Sequence, residues 1–157
     1  MKRGLLLTLT QPPPSMDEEF NAWYDDEHLP ERLSIPGFRS VQRWVLNGTY
    51  LATYELDSPA VLTSTAYLAR YQNQTPWSRR CLGKCLVFKR WACEQVAPGD
   101  AEPHRAAQAL FFALDGHPAS GALQSRKFLA SSGERIALHE LAAVDERFTP
   151  VYRRYQP

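Results

Sequence analysis

The sequence predicts an α+β domain: an antiparallel sheet with helices on one face, followed by a C-terminal half-repeat made of strands alone. Three observations carry this. Asn47-Gly48 joins two runs rich in β-branched and aromatic residues, 38–46 and 50–56, which is the pattern of a tight antiparallel hairpin. Helical segments interrupt the strands so that the order is strand, helix, strand, strand, helix, strand, the split βαβ arrangement. The hairpin is then echoed: Arg43-Trp44-Val45-Leu46, Gly48 and residues 51–56 reappear as Arg126-Lys127-Phe128-Leu129, Gly133 and residues 136–141.

The first strand is expected over residues 4–10, a leucine-rich run stopped by Pro12-Pro13-Pro14 and suited to burial on both faces. Its apolar core is too short for a secretory h-region and lacks a small-residue cleavage site, so it reads as a strand rather than a leader. Ser15 with Glu18 forms an S-x-x-E capping box, and Asp17, Glu18 and Glu19 suit the positive end of a helix dipole, so a helix is expected from about residue 16. On it Phe20, Trp23, Tyr24, Glu27, His28 and Glu31 share one face, which begins apolar and ends polar. Pro30 is expected to end or kink this helix around His28.

After the hairpin, Ser58 and Pro59 predict the cap and first residue of a second helix reaching about residue 72, and Thr75-Pro76-Trp77 restarts a short helical piece. Residues 84–96 have the composition of a fourth strand. The expected division is a barrel-forming domain over 1–96, a linker over 97–105 and a degenerate second repeat over 106–157. That repeat keeps three strands, beginning with residues 110–115, and replaces the long first helix by residues 116–121. Residues 144–155 are expected to form a short irregular helix.

Composition removes whole classes of function. A chain of 157 residues with net charge +1 and 22% charged residues has neither the clustered basic excess of a nucleic-acid binder nor the character of a disordered segment. No apolar run approaches the ~20 residues of a membrane-spanning helix. Cys81, Cys85 and Cys93 form an odd set without CxxC spacing, which predicts reduced, packed thiols in a cytoplasmic protein rather than disulfides or zinc. Serine-hydrolase, P-loop and dinucleotide-binding glycine patterns are absent.

The residues Trp23-Tyr24-Asp25-Asp26-Glu27-His28-Leu29-Pro30-Glu31-Arg32, followed by Pro36-Gly37-Phe38 and Arg43-Trp44, carry a likeness. This pattern resembles EthD-like proteins of the ferredoxin-like dimeric α+β barrel superfamily, over residues 4–95. The group includes polyketide cyclases, muconolactone isomerases and antibiotic-biosynthesis monooxygenases that work without a cofactor. The resemblance implies a site between the helices and the sheet of each subunit, with His28 lining it, and a homodimer that covers the other sheet face; the alternative is a pseudo-dimer in which the C-terminal strands supply that cover within one chain. No nucleic-acid or membrane partner is expected.

His28 titrates near neutral pH in its ordinary state, which suits a general base or acid, while Glu27 or Glu31 would orient it. The alternative is that His28 only caps the last helical turn. Tyr24, Trp23, Arg43, Trp44 and Tyr54 are the candidate substrate-binding residues, although for Trp23 the core reading is favoured. Strand alternation allows only one of Arg43 and Trp44, and one of Tyr54 and Glu55, to face the helices, and parity alone does not choose. Arg43 is expected either to hold a substrate oxygen or to pair with an acidic residue of the first helix. A metal held by Glu27, His28 and Glu31 is disfavoured for want of ligands.

The functional expectation is a cofactor-independent enzyme acting on a small aromatic or polyketide-like carbonyl compound by proton transfer at carbon: cyclisation, isomerisation or decarboxylation. The alternatives are a cofactorless monooxygenase and a non-catalytic small-molecule-binding or accessory protein.

Overall fold

In the computed structural model, which describes residues 2–114 and 119–157, eight antiparallel strands close into a barrel. They are β1 (Gly4–Gln11), β2 (Phe38–Leu46), β3 (Thr49–Leu56), β4 (Val87–Ala97), β5 (Ala109–Ala113), β6 (Gln124–Ala130), β7 (Arg135–Leu141) and β8 (Val151–Arg154). Around the barrel the order is β1-β3-β2-β8-β5-β7-β6-β4. The first half contributes β4-β1-β3-β2 and the second β8-β5-β7-β6, so each half has the same internal order. The seams are β2 with β8 and β4 with β6.

The strands alternate between two environments. Leu6, Val45, Tyr50 and Tyr54 point outward, under the helices and against Phe20, Trp23 and Tyr24. Leu5, Leu7, Trp44, Leu51, Phe128 and Leu138 point into the barrel. Among the described residues, the α-helices belong to the first half: α1 (Asp17–Trp23) and α2 (Leu29–Leu33) between β1 and β2, α3 (Thr65–Gln72) and α4 (Pro76–Gly83) between β3 and β4. In the second half the outer face is a small cluster of Ala109, Phe111, Ala137 and Leu141, packed by Phe148 and Val151. Among the described residues, no helix is long and apolar enough to cross a membrane.

Several local expectations are corrected. The capping box does not form; Pro14–Met16 make a 3-10 turn and α1 starts at Asp17 without a side-chain cap. Ser58 precedes only a 3-10 turn (Pro59–Thr63) and makes no side-chain capping bond, and Ser64 is the cap of α3, accepting from the Tyr67 N–H. The fourth strand starts at Val87 because α4 continues through Gly83. The second repeat has four strands, since the expected irregular helix ends as β8, whose edge is required to pair with β2. Residues 115–118, which hold the first half of the expected helix-replacing connection and the last residue of the strand expected before it, lie outside the described residues.

The expected linker is fastened down. The buried Gln95 accepts the N–H groups of Gly99 and Ala101 through Oε1, and the His104 N–H donates to Glu140 Oε2 at 2.6 Å. Residues 97–105 therefore lie across one end of the barrel as part of its wall.

Candidate functional site

Between α1 and α2 the chain does not stop at Pro30. Residues Tyr24–His28 wind as a π-helical turn, in which the Leu29 N–H reaches back five residues to the Tyr24 carbonyl. The wider turn accommodates Pro30, which lacks an N–H and sits in the first turn of α2, so helix passes into helix. It also brings Tyr24 and His28 together on the inward side, with their rings edge-on at 4.9 Å. Trp23 stacks on the imidazole at 4.5 Å.

Opposite them Tyr54 rises from the helix-facing side of β3. His28 Nε2 lies 3.1 Å from Tyr54 Oη, and Tyr54 Oη lies 2.7 Å from Tyr24 Oη. All three side chains are buried. The ring nitrogen of His28 thus meets a tyrosine hydroxyl from the sheet, which is not the helix-capping arrangement. Burial, reinforced by the positive field of Arg32 and Arg43, holds His28 well below its ordinary value of 6.5, so the imidazole is neutral at neutral pH. Burial, then Tyr24, pushes Tyr54 well above 10, keeping it a hydroxyl donor.

This chain of three groups lines a cavity of about 40 Å³ with Leu6, Thr8, Arg32, Tyr67 and Arg90. Liquid water occupies roughly 30 Å³ per molecule, so one or two waters, or one substituent of a larger molecule, fill it. Thr8 Oγ1 is buried there without a hydrogen-bond partner. The outer wall includes Tyr71 and Phe88, both substantially exposed.

The other expected site residues separate. Glu27 faces α4, where Oε2 accepts from Trp23 Nε1 at 3.1 Å and Thr75 Oγ1 at 2.8 Å. Glu31 pairs with Arg32 at 3.1 Å. Neither carboxylate orients His28 in this arrangement. Trp23 is fully buried, serving the core and stacking on His28. Among the described residues, no three His, Cys, Asp or Glu side chains gather as metal ligands.

Arg43 turns toward the helices and Trp44 into the barrel, which settles the parity that sequence leaves open. The buried Arg43 guanidinium donates to Asn21 Oδ1 at 2.7 Å and sits 3.6 Å from Asp25 Oδ1. Tyr24 and Tyr155 stand at 4.1 and 4.2 Å from its central carbon, with Tyr50 at 4.9 Å. This aromatic cage, whose last member comes from the C-terminal end of the chain, holds Arg43 away from the small cavity. Burial raises the thiols of Cys81 and Cys85 to about 11 and that of Cys93 to about 12, as expected of packed cysteines.

A second site is not apparent from the sequence. Arg126, Glu55 and Glu140 form a buried cluster on the inner wall of the barrel, beside a cavity of about 690 Å³. The repeat aligns Arg126 with Arg43, yet the two point to opposite faces; by facing, Arg126 corresponds to Trp44. The available signal is Glu55, a charged residue in a strand whose other residues are almost all apolar or aromatic.

No protein-family model matches the chain, and no curated protein matches it.

Proposed function

We propose that the chain is a cofactor-independent enzyme that moves a proton at carbon in a small aromatic or polyketide-like carbonyl compound, by cyclisation, isomerisation or decarboxylation. The observation that carries this reading is the buried relay of Tyr24, Tyr54 and neutral His28 around a cavity holding an unpartnered hydroxyl, Thr8 Oγ1. A neutral imidazole is the form that accepts a proton. In the proposed step His28 Nε2 takes a proton from the carbon beside the carbonyl, and the C–H electrons move into the enolate. The hydroxyls of Tyr54 and Tyr24 donate to its oxygen, and the proton returns to carbon in the product. Transfer from a neutral acid to a neutral base creates both charges together, so Arg32 and Arg43 favour the enolate while opposing the imidazolium. The size of the cavity implies that only the reacting end of the substrate enters, its body extending past Tyr71 and Phe88.

The order β4-β1-β3-β2 with helices after β1 and β3 is that of the split βαβ plan, and it supports the proposed kinship with EthD-like dimeric α+β barrel proteins. A homodimer was expected because one sheet face needed cover. Here β5–β8 cover that face, and we propose a barrel complete in one chain, which sedimentation as a monomer would support.

The test is wash-in of solvent deuterium beside the carbonyl of small phenolic ketones, followed by NMR. A positioned base supplies about 10²- to 10⁴-fold, so His28→Gln, checked for folding, should lose that much rate. An unchanged rate refutes the mechanism, and oxygen uptake in its place identifies a cofactorless monooxygenase. The second reading, a small-molecule-binding protein without catalysis, is favoured by the narrowness of the His28 cavity.

A further inference from the structure

The open end of the barrel is distant in function from the His28 relay and has the attributes of a ligand site in its own right. Its cavity of about 690 Å³ lies within the range of roughly 300–1,000 Å³ typical of small-molecule pockets. Trp44, Leu110 and Leu138 give it an apolar floor, with the Trp44 indole fixed by its bond to Thr53 Oγ1 at 3.3 Å. The strap of residues 102–107 forms one side, tied to the wall where the His104 N–H meets Glu140.

The charges around this opening are unevenly neutralised. Arg39, Arg105, Arg126 and Arg154 face Glu55, Glu102 and Glu140, four guanidiniums against three carboxylates. Arg126 is held by Glu55 and Glu140. Glu102 is held by Arg39 at 2.7 Å and by Arg3 at 3.2 Å. Among the described residues, that leaves Arg105 and Arg154 without a carboxylate partner; the Arg154 guanidinium donates only to the Ala107 carbonyl, at 3.2 Å. An apolar floor beneath two uncommitted guanidiniums matches one kind of molecule, an apolar body ending in an anion.

We propose that the barrel mouth binds a small amphipathic carboxylate, its hydrocarbon or aromatic part on Trp44, Leu110 and Leu138 and its carboxylate on Arg105 and Arg154. The guanidinium fork fits a carboxylate in two-point contact, and the buried ionic cluster keeps the wall polar without competing for these two arginines. The site is on the opposite face of the β2–β3 hairpin from His28, so occupancy of one does not require the other.

The experiment is calorimetric titration of the full chain with octanoate and with 3-phenylpropionate, using octylamine as the control of opposite charge. The carboxylates should bind and raise the melting temperature; octylamine should not. Arg105→Gln, at an exposed position that leaves the core intact, should weaken carboxylate binding, and Arg105→Gln with Arg154→Gln should weaken it by about tenfold or more. His28→Gln should bind them as wild type does, which separates this site from the catalytic proposal. Failure of both carboxylates to bind, equal binding of octylamine, or affinity unchanged in the folded double variant would overturn the proposal.

Discussion

Arg126 of the second half closes its guanidinium fork on Glu55 of the first, Nη1 at 2.7 Å and Nη2 at 3.1 Å from the two carboxylate oxygens. Its Nε reaches Glu140 at 2.8 Å, so one cation ties two buried anions from different halves of the barrel. Removing one partner of a buried pair costs about 3–5 kcal/mol because the remaining charge stays desolvated. Arg126→Met should therefore destabilise the chain on that scale in urea unfolding. The combination Glu55→Gln, Arg126→Met, Glu140→Gln should recover part of the loss. If the triple variant is no more stable than the single one, the cost is not electrostatic.

Arg43 answers differently because aromatic faces surround it, with a single half-buried carboxylate, Asp25, at 3.6 Å. Each desolvated cation–π contact contributes on the order of 0.5–2 kcal/mol. Arg43→Met keeps much of the volume and loses the charge, and it should cost about 2–3 kcal/mol in denaturant unfolding. Deletion of residues 155–157 removes Tyr155 from the cage and should reproduce part of that loss. If it leaves stability unchanged, Tyr155 does not hold the arginine.

His28 makes stability depend on pH with a definite sign. Its pKa is lowered in the folded state, chiefly by burial and then by Arg32 and Arg43, while the unfolded chain titrates near the ordinary 6.5. Below that value the unfolded state binds a proton that the folded state refuses, so stability falls as pH drops from 7 toward 5. One such proton sets a limiting slope of about 1.4 kcal/mol per pH unit. The difference between wild type and His28→Gln, measured by urea unfolding at several pH values, should show this slope and flatten above pH 7. Parallel curves would mean that the imidazole is not excluded from protonation.

Tyr54→Phe removes one hydroxyl and leaves two buried partners, His28 Nε2 and Tyr24 Oη, short of a bond. A cost of about 1–3 kcal/mol is expected from thermal unfolding. The His28 titration followed by NMR should shift with it, whereas a purely packing role for Tyr54 would leave that titration in place.

Residues 1–97 alone would expose the inward face of β1–β4, including Leu5, Leu7, Trp44 and Leu51, together with the free edges of β2 and β4. That fragment should pair with a second copy of itself or aggregate, while the full chain should sediment as a monomer. A soluble monomeric fragment would show that the second half is dispensable for closure.

The first hairpin is readable in the sequence because Asn47 and Gly48 both take positive φ, 48° and 76°, which few other residue pairs tolerate. The strand–helix order of the first half is readable for a similar reason: proline, serine and glycine punctuate it. The π turn is not, since nothing distinguishes a proline that ends a helix from one absorbed by a five-residue hydrogen bond. Strand β8 is hidden because Val151–Arg154 is short and polar, and its pairing with β2 is decided by a residue a hundred positions away. At the site, helical spacing correctly groups Tyr24 with His28. Their partner Tyr54 lies on a strand where alternation offers two equal choices, and the register against β1 and β2 makes the selection. Arg126 is missed because the part of the echo that aligns β6 with β2 is displaced by one in facing, so Arg126 points inward where Arg43 points outward.

The two halves of this barrel are unequal, one bearing all four α-helices described and the other covered by little more than Phe148 and its neighbours. In a ring of identical subunits every substitution is made twice, so a change that improves one cleft alters its twin as well. Joining the halves in one chain releases them from that coupling. One half is then free to keep a buried histidine relay while the other reshapes the shared lumen, and variation in either is selected on its own merits.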